Sequence, residues 1–208
     1  MCRFLVLVIA TLGWVVSAQA ETLYFVSVAT LAHDKREQYE EFLQKVAPLW
    51  RKHNMKILIR ARIVEAVAVG DISDAPHEIG ILEVASRKDF QAYLADADYQ
   101  LIKQQRSDAM ENFVVLEGVA SQLGALKYLS KTPMAAIVLS TKHIKPSKVS
   151  LSLSIQLAGQ VKGPVSNFLK KMNSIQVHAL SFDDNPMGYM PTNEQSGGAL
   201  GLVGALLR

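Results

Sequence analysis

Histidine and cysteine are the residue types that most often hold a zinc ion, and a cysteine thiolate is also a strong nucleophile. The five histidines are His33, His53, His77, His143 and His178. None of them shows the His-Glu-x-x-His spacing that places two ligands on one helix face. We therefore expect surface or hydrogen-bonded histidines and predict no metal site.

Motifs for nucleotide or acyl-transfer chemistry do not occur in the sequence. There is no Gly-x-Ser-x-Gly elbow and no dinucleotide fingerprint, and Gly163 is followed by Pro164 where a phosphate loop needs lysine and a hydroxyl residue. The formal net charge is +3, with basic and acidic residues interspersed. This mild charge balance gives no electrostatic basis for binding nucleic acid.

The first twenty residues have the pattern of a secretory signal peptide. Arg3 precedes the uncharged apolar stretch Phe4 to Val16, and Ala18-Gln19-Ala20 is a small-residue cleavage site. We expect cleavage before Glu21 and a periplasmic or extracellular protein. Cleavage also removes Cys2, the only cysteine, so the mature chain can form no disulfide and depends on its core.

Residues 21–120 show hydrophobic periods in the order strand, helix, strand, strand, helix, strand, which predicts a ferredoxin-like βαββαβ unit of the α+β class. The predicted strands are Thr22 to Thr30, Lys56 to Val69, Glu78 to Ala85 and Asn112 to Glu117. The first helix follows Asp34, with a bend expected before Pro48. The second helix follows Ser86 and is expected to break at Asp96, which can cap a new helix.

Strands of this unit carry apolar residues on both alternating faces. A sheet with helices on one side normally has a polar outer face, so the second face requires a cover. Two covers fit the pattern. One is a second copy of the protein, which would form a homodimer through the open sheet face, and the other is the remainder of the chain.

For residues 121–208, the pattern predicts a linker at 121–134, a smaller ββαβ module at 135–185, and a flexible or docked tail at 186–208. The module could be a degenerate second half-barrel. Its predicted elements are the strands Ala135 to His143, Ser150 to Leu157 and Ile175 to Phe182, with a helix after Gly163-Pro164. The apolar, glycine-rich end from Gly197 to Leu207 is too short to span a membrane, so no stable span is expected in the mature chain.

Four segments of the first half carry a family resemblance. They are Lys56-Ile-Leu-Ile-Arg60, Gly80-Ile-Leu-Glu83-Val, Asp98-Tyr99-Gln100 with Arg106, and Val115-Leu-Glu117-Gly118. With these segments, the first half of the mature chain resembles the domain of unknown function 1330 family. That family belongs to the dimeric α/β barrel superfamily, whose members pair two ferredoxin-like sheets face to face.

The resemblance implies a set of pocket residues. Arg60, Glu83, Tyr99 and Arg106 would bind the ligand, Glu117 is a weaker candidate, and Glu83 and Tyr99 would be catalytic if the protein is an enzyme. Arginine can bind a carboxylate with two parallel hydrogen bonds, glutamate can act as a base, and tyrosine can orient a carbonyl. The competing interpretation is a structural ion pair between Glu83 and one arginine.

Three functions remain open from the sequence. The leading hypothesis is an exported barrel protein that binds a small, partly apolar ligand or a partner protein. The alternatives are a cofactor-free oxygenase or isomerase acting on a carbonyl, quinone or phenolic compound, and a structural interaction protein without a pocket. No cofactor is predicted, although superfamily relatives bind haem through one histidine, for which His53 or His77 would serve.

Overall fold

The computed structural model describes residues 22–69, 76–124, 126–129, 131–142, 150–163, 171–180 and 199–207. The predicted signal peptide and most of the helix predicted after Pro164 lie outside these ranges. The strands are β1 (Leu23–Leu31), β2 (Met55–Val69), β3 (Glu78–Val84), β4 (Met110–Leu123), β5 (Met134–Ser140), β6 (Ser150–Lys162), β7 (Ser174–Leu180) and β8 (Ala199–Leu206). The helices are α1 (Arg36–Lys52), α2 (Arg87–Ala95), α3 (Ala97–Ala109) and the single turn α4 (Leu126–Leu129).

All eight strands form one closed barrel in the order β1-β3-β2-β8-β5-β7-β6-β4, with every pair antiparallel. The predicted fold class, an open ferredoxin-like α+β unit followed by a smaller module, is therefore wrong. The physical reason is β8, which lies in the range predicted as a tail. It hydrogen-bonds to β2 on one side and to β5 on the other, so the sheet has no free edge there.

The second four strands repeat the spatial order of the first four. The first set lies side by side in the order β4-β1-β3-β2, and the second set has the matching order β8-β5-β7-β6. The two sets join through the pairs β4–β6 and β2–β8. The inner face of each set is thus covered by the other set. The second apolar face of the first four strands is therefore covered by the second half of the same chain. This half occupies the sheet face that was expected to form a homodimer.

Alternate residues of both halves fill the barrel interior. On β1, Tyr24, Val26 and Val28 point inward, where they meet residues such as Ile137 and Leu151 of the second half. Aliphatic side chains with no exposed surface dominate this cluster. Burial of each such side chain stabilises the fold by about 1.5–3 kcal/mol, so the interior is a packed core.

Glycine allows the closest approach of two strands at the β2–β8 junction. A Cβ atom placed on Gly204 would lie 2.9 Å from the Cβ of Ala61, below any real contact between such atoms. At the other junction, a Cβ on Gly118 would lie 2.9 Å from Cγ2 of Ile155. At both junctions, a side chain on the glycine would force the neighbouring strand or side chain to shift.

The longer helices pack on the outer face of the first four strands. Helix α1 buries Tyr39, Phe42, Val46 and Leu49 against this face, and it continues without interruption through Pro48 to Lys52. None of the helices in the described ranges has the length and hydropathy that a membrane crossing requires.

The predicted break in the second helix is confirmed at Asp96. The Ser86 hydroxyl accepts a hydrogen bond from the Asp89 backbone N–H at the start of α2, and the Asp96 carboxylate accepts one from the Asp98 N–H at the start of α3. Each cap satisfies an otherwise unpaired backbone donor. The new helix turns Tyr99 toward the sheet, where it is 3% exposed.

Candidate functional site

A cavity of about 100 Å³ lies between the outer face of the first four strands and helices α1 to α3. Its lining is mostly aromatic and aliphatic, with a few polar groups. The residues used below are Tyr39, Leu43, Trp50, Ile57, Arg60, Glu78, Tyr93, Arg106 and Phe113. An apolar cavity with few convergent polar groups is the usual form of a small-molecule site.

Glu78 is the buried acid of this cavity, with 2% of its surface exposed. Its carboxylate accepts hydrogen bonds from Arg60 Nε at 3.2 Å and from Arg36 Nη1 at 2.8 Å. A buried carboxylate requires such partners, because leaving it unpaired would cost several kcal/mol. The guanidinium groups of Arg36 and Arg60 therefore neutralise the buried charge of Glu78.

Arg60 joins Glu78 to a second acid, Glu40 on α1. Its Nη1 donates to Glu40 Oε2 at 2.8 Å, and its Nη2 also donates to the Glu40 carboxylate. These hydrogen bonds lower the pKa of Glu40. Burial would lower the pKa of Arg60, but Glu40 and Glu78 outweigh that effect and raise it. The charge of Arg60 is thus balanced by protein carboxylates.

Arg106 on α3 is the cavity arginine whose charge is not balanced in this way. Its guanidinium lies over the ring of Phe113, 4.7 Å from the ring centroid. Among the residues that the structure describes, no carboxylate lies within 4.0 Å of it. Arg106 can therefore offer donors in a fixed planar arrangement to an anionic group in the cavity.

Two tyrosines near this arginine are phenols at neutral pH. Burial is the main cause that raises the pKa of both Tyr39 and Tyr93 far above the usual value, and the Glu78 carboxylate adds to the effect on Tyr39. Tyr93 is hydrogen-bonded to the indole of Trp50 and to Tyr99. Its ring centroid lies 4.3 Å from that of Tyr99. These contacts fix Tyr93 as a wall of the cavity.

The residues predicted for the pocket occupy different places in the structure. Arg60 and Arg106 line the cavity. The Tyr99 ring packs against that of Tyr93, which lines the cavity, and Tyr99 itself is not a lining residue. Glu83 pairs with Tyr24 in register, and strand alternation places it on the opposite face of β3 from Glu78. Glu117 forms an ion pair with Arg87.

Neither histidine considered for haem lines the cavity. Nε2 of His53 lies 2.6 Å from Oδ2 of Asp96, and Nδ1 of His77 accepts the Leu31 backbone N–H at 3.0 Å. A cavity of about 100 Å³ is also far too small for a tetrapyrrole ring. The site does not fit haem. In the described part of the chain, no group of three or more His, Cys, Asp or Glu side chains could hold a metal ion.

Sequence reasoning missed Glu78, Tyr39 and Tyr93. Glu78 is the first residue of a predicted strand, where a charged residue usually marks a solvent-exposed boundary. Its partner Arg36 precedes it by 42 positions, so no local spacing signals the pair. Tyr39 and Tyr93 lie at apolar positions of α1 and α2, and two aromatic residues on helices that pack on the same sheet are the signal that could have indicated a shared aromatic wall.

Comparisons with known proteins agree with the resemblance seen in the sequence. Residues 24–119 match the model of the domain of unknown function 1330 family, which confirms the resemblance for that segment. Among curated proteins, none matches the chain.

Several solved structures are similar to the chain. A protein of unknown function from Rhodopseudomonas palustris is 16% identical over 47% of this chain and 80% of its own, with a TM-score of 0.43. A Lactobacillus acidophilus protein described as a "putative monooxygenase" is 7% identical over 90% of this chain and 100% of its own, with a TM-score of 0.49. A mutant chlorite dismutase from Candidatus Nitrospira defluvii is 11% identical over 90% and 92%, with a TM-score of 0.45.

Proposed function

We propose that this chain, whose residues 24–119 match the domain of unknown function 1330 family, binds a small, mostly apolar organic anion in the cavity between helices and sheet. The observation that carries this proposal is Arg106. It lines an apolar cavity, and no carboxylate of the described residues balances its charge. A carboxylate is the ligand group that best matches such a guanidinium.

The phenols of Tyr39 and Tyr93 support an anionic ligand. Because their raised pKa values keep both protonated, they add no negative charge to the cavity at neutral pH. The apolar lining favours a hydrocarbon or aromatic body on the same molecule. The signal-peptide pattern of residues 1–20 adds that the protein would bind this ligand outside the cytoplasm.

Native mass spectrometry of the exported mature chain, followed by titration with aliphatic and aromatic carboxylates, tests the proposal. Arg106→Gln should weaken carboxylate binding by roughly tenfold to a hundredfold, because a hydrogen bond to a charged group contributes about 1.5–3 kcal/mol. Lys103→Gln is the matched control, since it removes one positive charge from an exposed position of the same helix. Equal binding by all three proteins would refute the proposal.

The oxygenase or isomerase alternative needs a free base beside the substrate. Glu78, the acid of the described cavity, already accepts hydrogen bonds from two arginines, and Glu83 lies on the other face of its strand. Binding is therefore the better supported function. Turnover of a carbonyl, quinone or phenolic compound that is abolished by Glu83→Gln would replace it, whereas a monomer without any ligand-dependent melting shift would favour an interaction module.

A further inference from the structure

An open groove of about 590 Å³ lies beside the cavity, between α1 and β2. Its walls are mainly apolar, and it extends along α1 to Leu129 and to Leu206 at the end of β8. Leu43, Trp50, Ile57 and Arg60 line both the groove and the cavity. The two spaces are therefore neighbours that share one wall of side chains.

The cavity alone is small for a ligand site. Most small-molecule sites measure about 300–1,000 Å³, and an engineered cavity of about 150 Å³ holds a single benzene. At about 100 Å³, the cavity accommodates a polar group with a few carbon atoms. A larger ligand seated there must extend past the shared wall.

We propose that the ligand is an amphipathic carboxylate with an unbranched hydrocarbon chain. Its carboxylate meets Arg106 in the cavity, and its chain passes between Trp50 and Ile57 into the groove between α1 and β2. This inference rests on the proposed function and names the ligand class. The chain would cover Ile57, which is 41% exposed although it is a large apolar residue.

The charges of the site favour this orientation over the reverse one. A carboxylate placed in the groove would face Glu40, and the nearby guanidinium of Arg60 is already bonded to Glu40 and Glu78. A hydrocarbon chain in the groove meets Leu43, Ala47 and Leu206 instead. Only the cavity end offers a guanidinium without a carboxylate partner among the described residues.

The fluorescence of Trp50, which lines both the cavity and the groove, can detect a ligand that extends from one into the other. The chain contains two tryptophans, Trp14 and Trp50, and the predicted cleavage before Glu21 leaves Trp50 alone. A ligand that crosses the shared wall should change its fluorescence. Straight-chain acids from butyrate to laurate, titrated into the mature chain, should bind about fourfold more tightly per added methylene, because each buried methylene contributes about 0.8 kcal/mol.

Ala47→Leu blocks the groove without altering the cavity. Ala47 lines the groove on α1 and is absent from the cavity wall, and leucine is a good helix former. The variant should weaken laurate binding by about tenfold or more and leave butyrate binding unchanged, given the gain expected per methylene. Ala92→Leu, the same change at an exposed position of α2, should leave both unchanged.

The outcomes separate this inference from the function on which it rests. If no acid of any length binds, the proposed function fails. If short acids bind in an Arg106-dependent way but affinity does not increase with chain length, the groove is not part of the site. The inference is also overturned if Ala47→Leu weakens butyrate and laurate equally.

Discussion

Replacing Gly204 by alanine tests whether β8 closes the barrel against β2 as described. The new Cβ would lie 2.9 Å from the Cβ of Ala61, and its other neighbours are at ordinary distances of 3.5 Å. The two carbons must separate by about 0.6 Å to reach a normal contact. Overpacking of this kind costs about 1–3 kcal/mol, and the reduced entropy of the unfolded chain offsets about 0.4–1 kcal/mol.

A double-mutant cycle with Ala61→Gly isolates this contact. Ala61→Gly alone should cost about 1.5 kcal/mol, because it removes a buried methyl and places glycine in a strand. In the double variant, the methyl has only moved from β2 to β8, so the clash disappears. The double variant should therefore be more stable than the sum of the single effects predicts, by about 1–2 kcal/mol.

The assay is urea unfolding of the mature chain, followed by Trp50 fluorescence. A change in midpoint at constant slope measures the change in the free energy of unfolding. Gly118→Ala combined with Ala61→Gly is the control, since Gly118 belongs to the other junction, where its Cβ would meet Ile155. That pair should be additive. A coupling below about 0.5 kcal/mol between positions 204 and 61 would refute the proposed β2–β8 packing.

Further predictions concern charge, pH and processing. Glu78→Gln should lower the free energy of unfolding by about 1.5–3 kcal/mol in urea titrations at neutral pH, because a buried acceptor of two arginines loses its charge. Hydrogen bonds from Lys52 and His53 lower the pKa of Asp96 in the folded chain, so Asp96→Asn should reduce the melting temperature at neutral pH. The difference between the two proteins should start to shrink as pH falls below about 3.8, the pKa in the unfolded chain, and be lost only at the lower pKa of the folded chain. Burial lowers the pKa of His178 below 6.5, so at a pH just below 6.5 the unfolded chain binds more protons than the folded chain. The melting temperature should therefore fall as the pH is lowered from about 6.5, and it should fall less in His178→Gln. When the full-length chain is expressed and its N-terminus is sequenced, the product should begin at Glu21, and an uncleaved product would contradict the predicted signal peptide.

Local patterns were sufficient to predict most elements. The alternation and turn signals placed β1 and β3 within about one residue of their observed ends, and the caps at Ser86 and Asp96 located both ends of α2. These features depend on residues close together in sequence. The barrel depends on pairing between β2 and β8, which lie more than a hundred positions apart, and no local pattern encodes that pairing.

β8 also shows why composition misled the prediction. Glycine is unfavourable in helices and weakens isolated strands, so the segment around Gly201 and Gly204 was interpreted as a tail. In the barrel, Gly204 is favoured because a Cβ at this position would lie 2.9 Å from the Cβ of Ala61 on the neighbouring strand. Of the polar residues around the cavity, the sequence analysis named Arg60 and Arg106 but not Glu78. Glu78 becomes recognisable as a cavity residue only once the strands pair and bring it to Arg36 and Arg60.

The two halves of the barrel share a strand order, and their outer faces carry different residues. The first half carries Arg60, Glu78 and the aromatic rings of α1 and α2 around a cavity. On the equivalent face of the second half, the described strands carry buried polar residues beside apolar ones. The polar residues are Ser140, Ser150, Ser152, Ser174, Gln176 and His178, and the apolar ones include Ala136, Val138 and Leu180. The second half supplies the inner face that closes the barrel against the first half. The match to the family model ends at residue 119, just before the first half of the barrel ends at Leu123, so the four strands and three helices around the cavity are the part of the chain that resembles this family.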